Sequence, residues 1–138
     1  STIILDAAHN REAAAAVVRT LNSGQWPEKP RVLVFGASRD KDVHGMLEQL
    51  LPEFEYVIFT HCRQSPRSCA PEELQAVAAD MCDTTCLTVA DEIEQALERG
   101  CRLAGPGGLL CITGSVFLAA ACRTRLRPSP QPKPKAAG

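Results

Sequence analysis

The chain has 138 residues, of which 45% are hydrophobic and 22% charged, so it is long enough for one domain with a buried core and short for two. A formal net charge of −1 gives no reason to expect nucleic acid or an anionic membrane surface as a partner, and no apolar run could span a bilayer. The seven cysteines include no CxxC pair and no Cys/His ligand spacing, which predicts a reduced, cytoplasmic protein without a metal site.

Short apolar runs alternate with helical patterns along the chain. They predict five strands, each followed by a helix, near residues 2–5, 31–36, 56–60, 85–89 and 108–113. This alternation predicts an α/β, Rossmann-like domain with a mostly parallel sheet and helices on both faces. Asp91 and Glu94, three residues apart, resemble a capping box at the start of the fourth helix.

The predicted domain covers residues 1–127. The Pro- and Lys-rich stretch 128–138 is predicted to be a disordered tail. Because the chain begins without Met and a strand is predicted from residue 2, we expect the domain to be part of a longer protein.

Polar residues directly follow three of the predicted strands. These three loops span residues 6–10, 36–42 and 113–115. Ligands of an open α/β sheet bind outside the carboxyl ends of its strands, so the loops are expected to gather at one edge and form a binding site.

The first loop allows a structural and a functional interpretation. Asn10 could cap the following helix and Asp6 could accept backbone N–H groups of the turn, and the spacing alone favours this interpretation. However, His9 lies where a strand end meets a helix start, and there it could position an anion or a nucleophilic amine. An Asp at this edge could also bind a ribose.

The other loops also allow both interpretations, evenly for Lys41, whereas the structural one is favoured for Ser115 and Arg67. Lys41 stands between two aspartates, either in a solvated ion-pair cluster with Asp42 as helix cap or as a point charge for a carboxylate or phosphate. Ser115 could cap the last helix, whose first amides could also hold a carboxylate. Arg67, after the third strand, faces the same edge or is an ordinary surface arginine.

Phosphate-binding loops are missing from these 138 residues. Neither a GxxxxGK[ST] motif nor a GxGxxG motif after the first strand occurs. A nucleotide could therefore be contacted by this domain but not cradled by it.

Four motifs, in this order and at suitable distances, carry a family resemblance: Leu5-Asp6-Ala7-Ala8-His9-Asn10, Val34-Phe35-Gly36-Ala37-Ser38-Arg39-Asp40-Lys41-Asp42, Ser65-Pro66-Arg67 and Thr113-Gly114-Ser115. Together they closely resemble the C-terminal domain of folylpolyglutamate synthase and of the bifunctional dihydrofolate synthase. Both belong to the Mur ligase superfamily of ATP-dependent amide ligases. The chain departs from the family pattern at Ala7, where Gly is usual, and at Arg11, where Pro is usual.

The resemblance implies a reaction and roles for the loops. In this family ATP phosphorylates a folate or dihydropteroate carboxylate, and the amine of glutamate attacks the acyl phosphate. A central domain in the same protein supplies the P-loop and the Mg²⁺ sites, so the chain alone is expected to be inactive. By resemblance Asp6 would bind the ATP ribose, His9 and Ser115 would orient glutamate, and Lys41 would hold a glutamate carboxylate or the nearby phosphate.

The resemblance thus marks His9 and Lys41 as catalytic, and it places Asn10, Asp42 and Arg67 near the site without a definite role. Two other interpretations stay open. The chain could belong to a Mur-type ligase of cell-wall precursor synthesis, or it could be a non-catalytic Rossmann-like binding domain. A free-standing flavodoxin-like binder is disfavoured by the missing phosphate loop.

Overall fold

A five-stranded sheet in which every pair of neighbours is parallel forms the centre of the molecule. This computed structural model describes residues 2–126, and the tail predicted for 128–138 lies outside the described residues. The strands are β1 (Thr2–Leu5), β2 (Arg31–Phe35), β3 (Tyr56–Phe59), β4 (Leu87–Val89) and β5 (Leu109–Thr113). The predicted α/β, Rossmann-like class is confirmed.

Five helices connect and follow the strands. They are α1 (Arg11–Leu21), α2 (Val43–Leu50), α3 (Pro71–Ala79), α4 (Ile93–Ala104) and α5 (Val116–Leu126), with short 3₁₀ turns at Leu51–Glu53 and Thr84–Cys86. Within residues 2–126, no helix has the length and apolar character needed to cross a membrane.

The strand order β1-β5-β2-β3-β4 places the last strand between the first two. Side chains alternate between two buried layers, as the pleat of a strand requires. Leu33 and Phe35 of β2 pack in the layer under α1, α2 and α3, whereas Val32 and Val34 pack in the layer under α4 and α5. Both faces are thus covered, which explains why β2 and β5 are buried at every position.

A buried arginine lies at the edge of the sheet where the strands begin, opposite their carboxyl ends. Arg31 is 5% exposed, and its guanidinium donates to the carbonyls of Leu21 at 2.7 Å and Trp26 at 3.1 Å. It also donates to the Asn22 side chain at 3.1 Å. The arginine therefore satisfies the Leu21 carbonyl at the C-terminal end of α1, where a positive charge also complements the helix dipole, and the Trp26 carbonyl in the connection that follows.

Two local predictions are wrong. Asp91 and Glu94 form no capping box, because α4 has Glu92 at its N-cap position without a side-chain hydrogen bond. The Asp91 carboxylate instead accepts from His61 and Arg63, and that of Glu94 from Arg125. The fourth strand begins two residues later than predicted, because residues 84–86 form a 3₁₀ turn.

Candidate functional site

The three polar loops lie at the carboxyl ends of three neighbouring strands. Residues 6–10 follow β1, residues 36–42 follow β2, and residues 114–115 follow β5, which pairs with both other strands. The chain order reverses here, since β2, β3 and β4 run outward and the chain then returns to β5. Such a switch point is where open α/β sheets bind ligands.

A cleft of about 270 Å³ opens at this point. It is lined by side chains from all three loops and from the start of α5: His9, Ser38, Lys41, Gly114, Ser115, Val116 and Phe117. Residues separated by more than 100 positions in the sequence thus meet in one cleft. His9, Lys41 and Ser115, which the sequence marks as candidate ligand-binding residues, are brought together.

The ring of His9 is held by its own loop. Its Nδ1 atom lies 3.1 Å from the carbonyl oxygen of Ala7, and a carbonyl can only accept, so this contact places the hydrogen on Nδ1. In the neutral imidazole, Nε2 then carries a lone pair that can accept a proton or a hydrogen bond. The exposed ring can therefore serve an amine as acceptor or base.

Lys41 has a weak partner in its own loop. Its Nζ lies 3.8 Å from an Asp40 carboxylate oxygen, and the side chain is 36% exposed. Surface ion pairs of this kind contribute roughly 0–1 kcal/mol, so an incoming carboxylate or phosphate can replace Asp40 at little cost.

The backbone of the Lys41 loop is tied to the segment after β3. Ser38 and Ser68 form an isolated antiparallel bridge, and the Arg39 amide donates to the Arg67 carbonyl at 2.8 Å. The Cys69 amide donates to the Ala37 carbonyl at 2.9 Å. These hydrogen bonds fix the position of the segment that carries Lys41. Arg67 takes part through its main-chain carbonyl.

Gly114 allows β5 to turn sharply into α5. Its φ of +113° lies in the region that favours glycine, and a Cβ here would meet the Gly36 carbonyl oxygen at 2.3 Å. The next residue, Ser115, caps the helix, since its Oγ accepts from the amides of Phe117 at 3.1 Å and Leu118 at 3.3 Å. The first turn of α5 is thereby directed into the cleft.

Three of the helices that begin at this edge start beside the cleft, each with a side-chain cap. Asn10 accepts from the Ala13 amide at 2.7 Å, and Asp42 accepts from the Gly45 amide at 2.9 Å, as Ser115 does in α5. Helix N-termini carry partial positive charge, and with Lys41 they favour an anionic ligand. Within the described residues, no three His, Cys, Asp or Glu side chains are arranged to bind a metal ion.

The remaining predicted site residues lie outside the cleft lining. The side chains of Asn10 and Asp42 act as helix caps, as the structural interpretation has it, and Arg67 is exposed. One oxygen of Asp6 accepts from the Ala8 amide at 2.8 Å, and among the described residues no side chain pairs with the other oxygen. That oxygen is oriented by the turn and is available to a ribose hydroxyl.

The apolar wall of the cleft, formed by Val116 and Phe117, is not predicted from the sequence. Val116 and Phe117 are 53% and 61% exposed, although they belong to a run that suggests a buried helix. The helical period could have predicted this exposure. Leu118 and Cys122 lie on the face of α5 that meets the core, and Phe117 lies on the opposite, exposed face. Ser38 was also overlooked, despite its position in the Lys41 loop.

This fold and cleft define a doubly wound α/β domain with a polar cleft at its switch point, the place where domains of this class bind ligands. A family model described as "Mur ligase, glutamate ligase domain" matches residues 1–116. The chain belongs to this family, as the four motifs predict.

Similar proteins come from the folate branch of the family. The dihydrofolate synthase/folylpolyglutamate synthase of Mycobacterium tuberculosis is 31% identical over 136 residues, covering 89% of this chain and 28% of that protein. A probable bifunctional folylpolyglutamate synthase/dihydropteroate synthase of Haloferax volcanii is 32% identical over 123 residues, covering 89% of this chain and 14% of that protein. The chain thus spans less than a third of either relative.

Solved structures of folylpolyglutamate synthases contain a domain with the same fold. The Mycobacterium tuberculosis folylpolyglutamate synthase, crystallised with ADP and AMPPCP, superposes with a TM-score of 0.82 at 33% identity, covering 94% of this chain and 30% of that one. The Thermotoga maritima folylpolyglutamate synthase gives a TM-score of 0.75 at 31% identity, covering 90% of this chain and 27% of that one. The family uses ATP-type nucleotides and ligates amino acids, and its fold is the one described above.

Proposed function

We propose that this chain is the C-terminal, glutamate- and nucleotide-contacting domain of an ATP-dependent folylpolyglutamate or dihydrofolate synthase. The observation that carries the proposal is the meeting of His9, Lys41 and Ser115 in one cleft where three helices begin. Glutamate offers two carboxylates and an amine, which match the positive groups and the imidazole acceptor of this cleft.

ATP, with Mg²⁺, supplies the phosphoryl group that turns the acceptor carboxylate into an acyl phosphate, and both are held mainly by a central domain outside this chain. The residues of this chain then bind and orient the attacking glutamate. Lys41 holds a glutamate carboxylate, and Ser115, whose Oγ accepts from the Phe117 and Leu118 amides, orients glutamate by donating its hydroxyl hydrogen. Asp6 offers its remaining carboxylate oxygen to the ribose.

His9 receives the proton that the glutamate amine must lose. An ammonium group has no lone pair, so the amine attacks the acyl carbon only after deprotonation, and Nε2 of His9 is the acceptor that the Ala7 contact leaves in place. The new C–N bond forms as the C–O bond to phosphate breaks, and the second proton that the nitrogen loses passes to the leaving phosphate. The products are the amide and inorganic phosphate, and most of the rate comes from positioning.

The proposal is tested with the full-length protein that carries this domain. We expect ATP-dependent transfer of glutamate to dihydropteroate, to tetrahydrofolate or to both, with stoichiometric phosphate release. Transfer of an amino acid to a cell-wall precursor would favour the other Mur-type ligase instead. A full-length protein without a P-loop and without turnover would favour a non-catalytic binding domain.

The 138-residue chain alone is expected to release no phosphate and form no amide, because it contains no P-loop motif. The measurement is phosphate release with ATP, glutamate and either acceptor, using the full-length protein as the positive control. Ligation by the purified chain, free of contaminating enzyme, would contradict the assignment of the phosphoryl chemistry to another domain.

Ser115 can be tested for ligand binding separately from capping. Asp is as good an N-cap as Ser, so Ser115→Asp should leave the unfolding free energy within about 0.5 kcal/mol of the parent. Its carboxylate would repel glutamate, and we expect glutamate-dependent turnover of the full-length protein to fall at least tenfold. Ser115→Thr, which keeps a neutral hydroxyl cap, is the matched control, and equal activity of both variants would restrict Ser115 to a structural role.

A further inference from the structure

The cysteines of the chain differ sharply in accessibility. All seven are free thiols within residues 2–126. Cys111 and Cys122 are fully buried, and burial raises the pKa of each thiol to about 12. Cys69 is buried as well, whereas the partly exposed thiols are those of Cys62, Cys82, Cys86 and Cys101. Only partly exposed thiols are open to a reagent from solution.

Two of these accessible thiols lie on either side of one short turn. Cys82 follows α3 and Cys86 ends the 3₁₀ turn before β4, so a loop of three residues separates them. Both side chains are partly buried against the same layer of the core, the one under α1, α2 and α3, and the nearby Cys86 side chain contributes to the raised pKa of the Cys82 thiol. Each sulfur also lies near a backbone carbonyl, Cys82 Sγ at 3.6 Å from that of Ala78 and Cys86 Sγ at 3.2 Å from that of Asp83. Each side chain is therefore oriented by a carbonyl of its own local backbone.

A second cleft, of about 520 Å³ and separate from the one lined by His9, Lys41 and Ser115, opens onto Cys82. Leu47, Leu51, Pro52 and Met81 form its apolar wall, His44 and Glu48 stand at its rim, and Cys82 is part of its lining. This space gives a small molecule a route to the Cys82 sulfur.

We propose that Cys82 and Cys86 form a modification site, a thiol pair that a low-molecular-weight disulfide converts into an intramolecular disulfide. One cysteine thiolate attacks a sulfur of the reagent, breaks its S–S bond and releases one small thiolate, which leaves a mixed disulfide on the protein. The second cysteine thiolate attacks the protein sulfur of that mixed disulfide and expels the second small thiolate. The protein loses two electrons, and its two thiol protons pass to the two small thiols.

Asp83 directly follows Cys82, and its negative charge opposes formation of the Cys82 thiolate. Burial, the nearby Cys86 side chain and the Asp83 carboxylate all raise the pKa of the Cys82 thiol above its ordinary value. The Asp83 side chain also caps the 3₁₀ turn by accepting from the Thr85 amide at 3.0 Å. Asp83→Asn keeps an oxygen for that cap and removes the charge, so the Cys82 pKa falls and the thiolate fraction at neutral pH rises. We expect disulfide formation in this variant to be several-fold faster.

The experiment treats the protein with oxidised glutathione, quenches it with acid, alkylates the remaining thiols and cleaves after glutamate. The resulting fragment of residues 74–92 contains Cys82 and Cys86 and none of the other cysteines. We expect this fragment to be lighter by two hydrogen atoms and to resist alkylation. Cys82→Ser and Cys86→Ser should each yield one glutathione adduct on the remaining cysteine.

A wild-type fragment with two glutathione adducts, or one still alkylated at both positions while Cys101 is glutathionylated, would overturn the proposal. Cys101 is the internal control, because it is a partly exposed thiol on α4. The measurement is made on the wild-type protein, so it does not depend on the folding of a variant. An unchanged rate in Asp83→Asn would overturn the role of the Asp83 charge.

Discussion

Replacing His9 or Lys41 with alanine in the full-length protein is expected to lower glutamate-dependent turnover by roughly 10²–10³-fold. His9→Ala removes the proton acceptor for the amine and should act mainly on kcat. Lys41→Ala removes a charge that holds bound glutamate and should act mainly on the KM for glutamate. Steady-state kinetics with varied glutamate, at saturating ATP and acceptor, measures both effects.

The chain offers matched controls for both substitutions. Lys29 is the other lysine within residues 2–126, and it pairs with Glu55 at 3.8 Å beside β2 at the opposite edge of the sheet. His44 is an exposed histidine on α2, 3.9 Å from Glu48. Lys29→Ala and His44→Ala should retain activity within about twofold, since surface changes rarely cost more than 0.5 kcal/mol. Unchanged turnover in both His9→Ala and Lys41→Ala, with control-like kinetics, would remove the site assignment.

Gly114→Ala is expected to lower the free energy of unfolding by about 2–5 kcal/mol. The backbone there has φ of +113°, which costs an L-residue about 1–2 kcal/mol. The added Cβ would also lie 2.3 Å from the Gly36 carbonyl oxygen and 2.8 Å from the Phe35 ring, and such overpacking costs about 1–3 kcal/mol more. Denaturant unfolding of the domain measures the change.

Gly24→Ala separates the two causes. Gly24 also has a positive φ, +91°, but nothing lies within 4 Å of the position of an added Cβ. We therefore expect it to lose only the conformational part, about 1–2 kcal/mol. If the two variants lost the same free energy of unfolding, the close approach of the loops after β2 and β5 would contribute nothing to the destabilisation by Gly114→Ala.

The sequence predicts the sheet and half of the site because both follow from local pattern plus one rule of topology. Runs such as residues 31–35 are apolar at nearly every position, which indicates strands buried on both faces. His9, Lys41 and Ser115 each follow such a run, and the carboxyl ends of parallel strands share an edge. The structure therefore brings them together, while their chemical roles stay predictions.

What the sequence does not predict depends on partners far along the chain. Asp91 and Glu94 have the spacing of a capping box, but Arg63 and Arg125, about 30 residues away, take their carboxylates. Ion pairs between residues so far apart in the sequence cannot be predicted from a local sequence pattern. Phe117 was missed for a similar reason, because its exposure depends on which face of α5 meets the sheet.

The position of β5 between β1 and β2 has a mechanical consequence. The three loops of the cleft are rooted in adjacent, hydrogen-bonded strands of one buried sheet, and the loop after β2 is further bonded to the segment after β3. The cleft is therefore preassembled within this one domain. Under the proposed function, glutamate would meet a site that is already built, so none of its binding energy would be spent on ordering the three loops.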